Sequence, residues 1–205
     1  MRDLRRCGGE REQMHYISAI KKVFIKKVRK VKKQISTRRR MHAIKKFGTF
    51  DSKELFTHCR EIGIRQNDIL LVHCSMDNLF TYSGSLTELL QVLQELVAPK
   101  GTLLMPALST NMFMTPTRPF DVQRETTYTG IIPELFRRMS DVIRSLHPRH
   151  SLCALGPMAH ELTAGHEDCV YADGANSPWD RLRLVGAKGL NLGLRPGVSL
   201  TFQHW

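Results

Sequence analysis

Arg144, Ser145, His147, His150 and Ser151 fall within eight residues of one another, inside Val142-Ile-Arg-Ser-Leu-His-Pro-Arg-His-Ser-Leu-Cys-Ala-Leu-Gly156 and between two short apolar runs. A guanidinium matches the planar oxygens of a phosphate, and an imidazole moves protons near neutral pH. The apolar runs Val142-Ile143 and Leu152–Leu155 read as strands, and Pro148 keeps residues 145–150 a loop. A loop pinned by strands at both ends can aim polar groups at a ligand. A zinc reading of His147, His150 and Cys153 fails on spacing, and Cys153 falls in the apolar phase of its strand. No metal is expected. His73-Cys-Ser75 is the second polar cluster. Cys74 is a poor nucleophile for a His73 base, because neighbours on a strand point to opposite faces. For His73 itself, a core histidine bonded to backbone is favoured over direct catalysis.

These groups need a scaffold. Asp51-Ser-Lys-Glu54 reads as a capping box that starts a three-turn helix ending near Gly63. Asp68-Ile-Leu-Leu-Val-His73 is a continuous apolar run, the mark of a strand covered on both faces. Ser85-Leu-Thr-Glu88 is a second capping box, its helix stopped by Pro99 and Gly101, and Leu103–Met105 is the next buried strand. Strand, helix and strand form a βαβ unit with a parallel pair, and ligands sit beyond the carboxyl ends of such strands. That rim holds His73, Cys74, Ser75 and Pro106. Residues 107–129 show no period and read as a long functional loop. A helix over 131–139, one opened by Gly156-Pro157, another capped by Ser177 and a last strand at Gly189–Leu192 follow. The fold class is α/β: a three-layer-like domain with a mixed, partly parallel sheet flanked by helices, plus an N-terminal amphipathic helix.

Charge divides the 205 residues sharply. Residues 1–48 hold seventeen Lys or Arg against three acids, whereas residues 49–205 hold fourteen against sixteen, so the overall +12 belongs to the leader. The body gives no electrostatic reason to bind nucleic acid. Two regions result: a basic helical extension and linker over 1–48, with Arg38–Arg40 as linker, and a catalytic domain over 49–205. Ile17, Ile20, Phe24, Val28, Val31 and Ile35 recur at helical spacing among lysines, an amphipathic basic helix over 14–35. It packs on the domain or a twin subunit, as a homodimer would allow, or lies on an anionic membrane surface. Nucleic acid ranks third, since no aromatic platform accompanies the lysines. Five widely spaced cysteines without a CxxC, no membrane-length apolar run and no signal-peptide core indicate a cytoplasmic protein, peripheral at the inner membrane face if the helix docks there.

Arg144-Ser-Leu-His-Pro148 followed by His150-Ser-Leu-Cys-Ala-Leu-Gly156 resembles the signature of the aminoglycoside 3-N-acetyltransferases, acetyl-CoA-dependent enzymes unrelated to the GNAT fold. Leu71–Met76, Gly101–Pro106, Phe120-Asp121, Gly130–Arg137, Ser177-Pro178 and Leu192-Gly193 leading to Thr201–His204 match in the same order. The resemblance implies direct acetyl transfer from acetyl-CoA to an amino group of an aminoglycoside or amino sugar. It makes His204 the catalytic base and places His73, Cys74, Ser75, Met76, Arg144 and Ser145 at the coenzyme. Cys74 stands where serine or alanine is usual. Asp121, Glu125 and Asp173 could meet a cationic substrate. In the family a carboxylate follows the histidine within a few residues and the chain runs on, whereas this sequence stops at Trp205, so the family domain is expected to be truncated here. The alternative is a shortened, non-catalytic relative serving as a membrane or protein adaptor.

Overall fold

A computed structural model describes residues 34–35, 37–109 and 119–194, in a chain that divides into two compact units, Met1–Thr49 and Phe50–Trp205. In the first unit residues 34–35 and 37–47 are helical, so Arg38–Arg40 belong to a helix and not to a linker. Residues 37–47 contain neither Gly nor Pro and consist largely of good helix formers. The helix stops at Gly48, whose φ of 75° suits a helix end and whose N–H donates to the Ile44 carbonyl at 2.9 Å. Of the amphipathic helix expected over 14–35, residues 14–33 lie outside the described residues.

The second unit runs α1 (Ser52–Glu61), β1 (Ile69–Cys74), α2 (Leu86–Val97), β2 (Thr102–Pro106), α3 (Ile131–Phe136), β3 (Ile143–Arg144), β4 (Leu152–Leu155), α4 (Ala159–Thr163), α5 (Pro178–Leu184) and β5 (Lys188–Leu192). Both capping boxes form. Asp51 accepts the Glu54 N–H and Glu54 the Asp51 N–H, each at 2.9 Å; Ser85 and Glu88 exchange the same pair at 3.1 and 2.6 Å. Each cap removes orphan donors from a helix start, worth about 1 kcal/mol.

The five-stranded sheet has the order β3-β4-β2-β1-β5. β1 is parallel to both β2 and β5, with Leu71 opposite Leu104 on one side and Gly189 on the other, while β4 is antiparallel to β2 and β3. Alternation along the central strands builds two cores. Leu70, Val72, Leu103 and Met105 face the layer containing α1, α2 and α3; Leu71, Leu104, Leu152 and Ala154 face α4 and α5. This double coverage is why β1 and β2 read as unbroken apolar runs.

Two helices are shorter than their sequence patterns. α3 ends at Phe136, where Arg137 and Arg138 fold back onto Glu134. α4 begins at Ala159 because Gly156 turns with φ 132° and the Met158 N–H goes to Thr102 Oγ1 at 3.2 Å. A side chain at 156 would collide with the Gly101 carbonyl, so only glycine lets this turn pass the start of β2. Among the described residues, no helix is long and apolar enough to cross a membrane.

Candidate functional site

The β3–β4 loop is tied by its own polar side chains. Ser145 Oγ accepts the Leu152 N–H at 2.9 Å and lies 2.8 Å from His166 Nδ1, while His166 Nε2 lies 2.8 Å from the Ala172 carbonyl. A carbonyl only accepts, so Nε2 carries the imidazole proton and the Ser145 hydroxyl donates to Nδ1. His147 Nδ1 in turn accepts the N–H groups of Arg149 and His150 at 3.1 and 2.9 Å, and its ring stacks on that of His166 at 4.5 Å. Trp179 of α5 completes the packing, its indole N–H donating to the His150 carbonyl at 3.1 Å. Ser145, expected at the coenzyme, is buried inside this network.

Arg144 is likewise turned inward. Its Nε donates to Ser151 Oγ at 2.9 Å, one terminal nitrogen donates to the Glu125 carbonyl at 2.5 Å and Val122 at 3.3 Å, and the other to Ala107 at 2.7 Å. Phe120 lies under the guanidinium at 5.2 Å. The planar fork suits main-chain carbonyls of a long loop as well as phosphate oxygens, and in this structure it bonds the carbonyls of Ala107, Val122 and Glu125. Arg144 joins the exit of β2 to segment 120–127. Beside it opens a cleft of about 680 Å³, lined in part by Val122, Arg124, Arg137, Arg138 and Ile143.

At the rim of β1, His73 stands opposite Asn191 of β5. Its Nε2 is enclosed without a hydrogen-bond partner, and burial lowers its pKa to about 4. Among the described residues the backbone partner expected for a core histidine is absent. Cys74 points into the core formed with α2, and burial pushes its thiol up to about 11, which removes thiolate chemistry. Of the amides expected to serve a ligand, that of Ser75 donates to Leu192 at 2.9 Å. The Ser75 hydroxyl and the Met76 N–H have no partner among the described residues. His204 lies outside the described residues.

Cys153 is buried in the core with its thiol pushed up to about 12, and among the described residues no three His, Cys, Asp or Glu side chains gather as metal ligands. Of the acids assigned to a cationic substrate, Asp121 accepts the N–H groups of Gln123 and Arg124 at 3.0 Å each, Glu125 is buried and Asp173 is exposed. Two groups escaped sequence reasoning. His166 sits in a turn region without periodicity and had no local signal. Glu134 did have one, the i, i+3 and i, i+4 spacing to Arg137 and Arg138. Burial would raise its carboxyl, but bonds from Arg137, the Thr127 N–H and Arg138 prevail and hold it at about 2.

The histidine network is expected to make the fold acid-labile. Burial, ahead of the opposing bond to Ala172, lowers His166 to about 4, and burial also lowers His147 and His150. The unfolded chain takes up a proton near the ordinary ~6.5 that the folded His166 refuses until about 4, so stability falls as pH drops through that window and levels off below it. The His166 share is on the order of 3 kcal/mol. Urea midpoints measured from pH 7 to pH 4 should fall steeply for the wild type, and His166→Gln should remove that part of the slope.

The fold and rim define the class: a three-layer mixed α/β domain whose parallel strands present unpartnered polar groups at their carboxyl ends, with no disulfide or metal framework among the described residues. The aminoglycoside 3-N-acetyltransferase family model matches residues 71–205. The chain belongs to that family. It is 30% identical over 163 residues to an aminoglycoside N(3)-acetyltransferase III from Salmonella sp, covering 71% of this chain and 56% of the relative. It is 27% identical over 161 residues to an aminoglycoside N(3)-acetyltransferase IX of Micromonospora chalcea, covering 70% and 57%. Among solved structures, AAC-IIIb in binary complex with CoASH superposes with a TM-score of 0.67 at 26% identity, over 76% of this chain and 63% of that one. AAC-VIa bound to sisomicin gives 0.66 at 27%, over 77% and 64%. The chain therefore spans little more than half the length of its curated relatives.

Proposed function

We propose that the protein transfers the acetyl group of acetyl-CoA to an amino group of an aminoglycoside or related amino sugar. The observation that carries this reading is the likeness, in both sequence and fold, to a relative solved with CoASH. The sisomicin-bound relative supports the amine. Acetyl-CoA is a substrate of this reaction. At the β1 rim the Ser75 hydroxyl and the Met76 N–H, without partners among the described residues, are the groups offered to it, with His73 buried beside them. Arg144 and Ser145 shape the neighbouring walls from within.

The chemistry follows from the substrates. A neutral amine attacks the thioester carbonyl, forming the C–N bond and a tetrahedral oxyanion; collapse breaks the C–S bond, and the amine proton ends on the departing thiolate. His204 is the base that takes that proton, on the strength of its place in Thr201–His204. Calorimetry with CoA, followed by thiol release from acetyl-CoA with sisomicin and with an amino sugar, tests the reading. Binding together with release on either amine is expected. Absence of CoA binding would overturn it.

A further inference from the structure

The leader carries a surface that the acetyl-transfer reading does not use. Between Gln13 and Phe50 the sequence holds thirteen Lys or Arg and no Asp or Glu. Within that stretch, the helix over 37–47 exposes Met41 and Phe47 to 62% and 74%, and Ile44 is half-buried between them in sequence. Steps of three residues place Met41, Ile44 and Phe47 along one side of a helix. Arg38, Arg39, Lys45 and Lys46, all exposed, occupy the rest, and the Lys46 ammonium lies 4.8 Å from the Phe47 ring centre. Arg40 falls on the apolar side, where a long stem can lie along hydrocarbon while its charge reaches outward.

An exposed apolar stripe bordered by cations, with no acid to neutralise them, is complementary to one kind of surface: apolar beneath, anionic above. We propose that this helix face docks on an anionic lipid bilayer, with Met41 and Phe47 entering the headgroup boundary and the arginines and lysines meeting lipid phosphates. A nucleic acid would engage the cations but leave the apolar pair in water. The upstream sequence, with Ile17, Ile20, Phe24, Val28 and Val31 among lysines, repeats the same combination of residue types.

The test is sedimentation of the full chain with vesicles of phosphatidylcholine alone and of phosphatidylcholine with about one-third phosphatidylglycerol. Binding to the anionic vesicles only, weakened by added salt, is expected. Substituting Met41→Ser together with Phe47→Ser should lower the partition coefficient about tenfold. Substituting Arg38→Gln, Arg39→Gln and Arg40→Gln together should lower it about a hundredfold. Equal binding to both vesicle types would overturn the proposal. So would an unchanged partition of the serine variant, or duplex DNA that strips the wild-type chain from the vesicles at equal phosphate concentration.

Discussion

Replacing His204 with glutamine is expected to lower kcat for acetyl transfer about a thousandfold while the dissociation constant for CoA stays within about twofold. Under the proposed mechanism His204 meets the proton of the attacking amine and not the nucleotide, so its loss acts on the barrier and leaves ground-state binding intact. Initial rates of thiol release from acetyl-CoA, with calorimetry on the same preparations, give both readings. If the glutamine variant retained kcat, His204 would not be the base.

Substituting Arg144→Met should destabilise the fold by about 3–5 kcal/mol, because buried carbonyls lose a charged donor at once. Ala107 keeps the Ser151 hydroxyl at 2.7 Å, but Val122 and Glu125 lose the guanidinium bonds described above, and Ser151 Oγ loses its donor. Arg144→Lys should recover less than half of this, since an ammonium is a single point and cannot span acceptors just after β2, just before β4 and in segment 120–127. Urea unfolding of the two variants measures it. A phosphate-gripping arginine would behave in the opposite way, with wild-type unfolding midpoints and weakened CoA binding. The two roles for Arg144 are therefore separable by one pair of measurements.

The contrast between Arg144 and the capping boxes shows what is readable in a chain of amino acids. Asp51 with Glu54 and Ser85 with Glu88 close hydrogen bonds three residues apart, and the alternation in β1 and β2 is satisfied by whatever apolar layers arrive. Local bonding and periodicity thus determined the helices, the strands, the parallel pair and the carboxyl rim. Strand boundaries came within a residue or two. Arg38–Arg40 was misread because a run of like charge resembles a linker, while its helix propensity was the stronger term.

The destinations of long polar side chains were not local. Arg144 and Ala107 are 37 residues apart, and Ser145 meets His166 21 residues away, across connections that carry no period. A guanidinium bonds equally well to a phosphate or to three carbonyls, and a serine hydroxyl to a ligand or to an imidazole. Sequence by itself determined that such groups gather at one end of an α/β sheet; only the folded chain decided which turn inward, because burial makes every donor find the nearest acceptor that packing supplies.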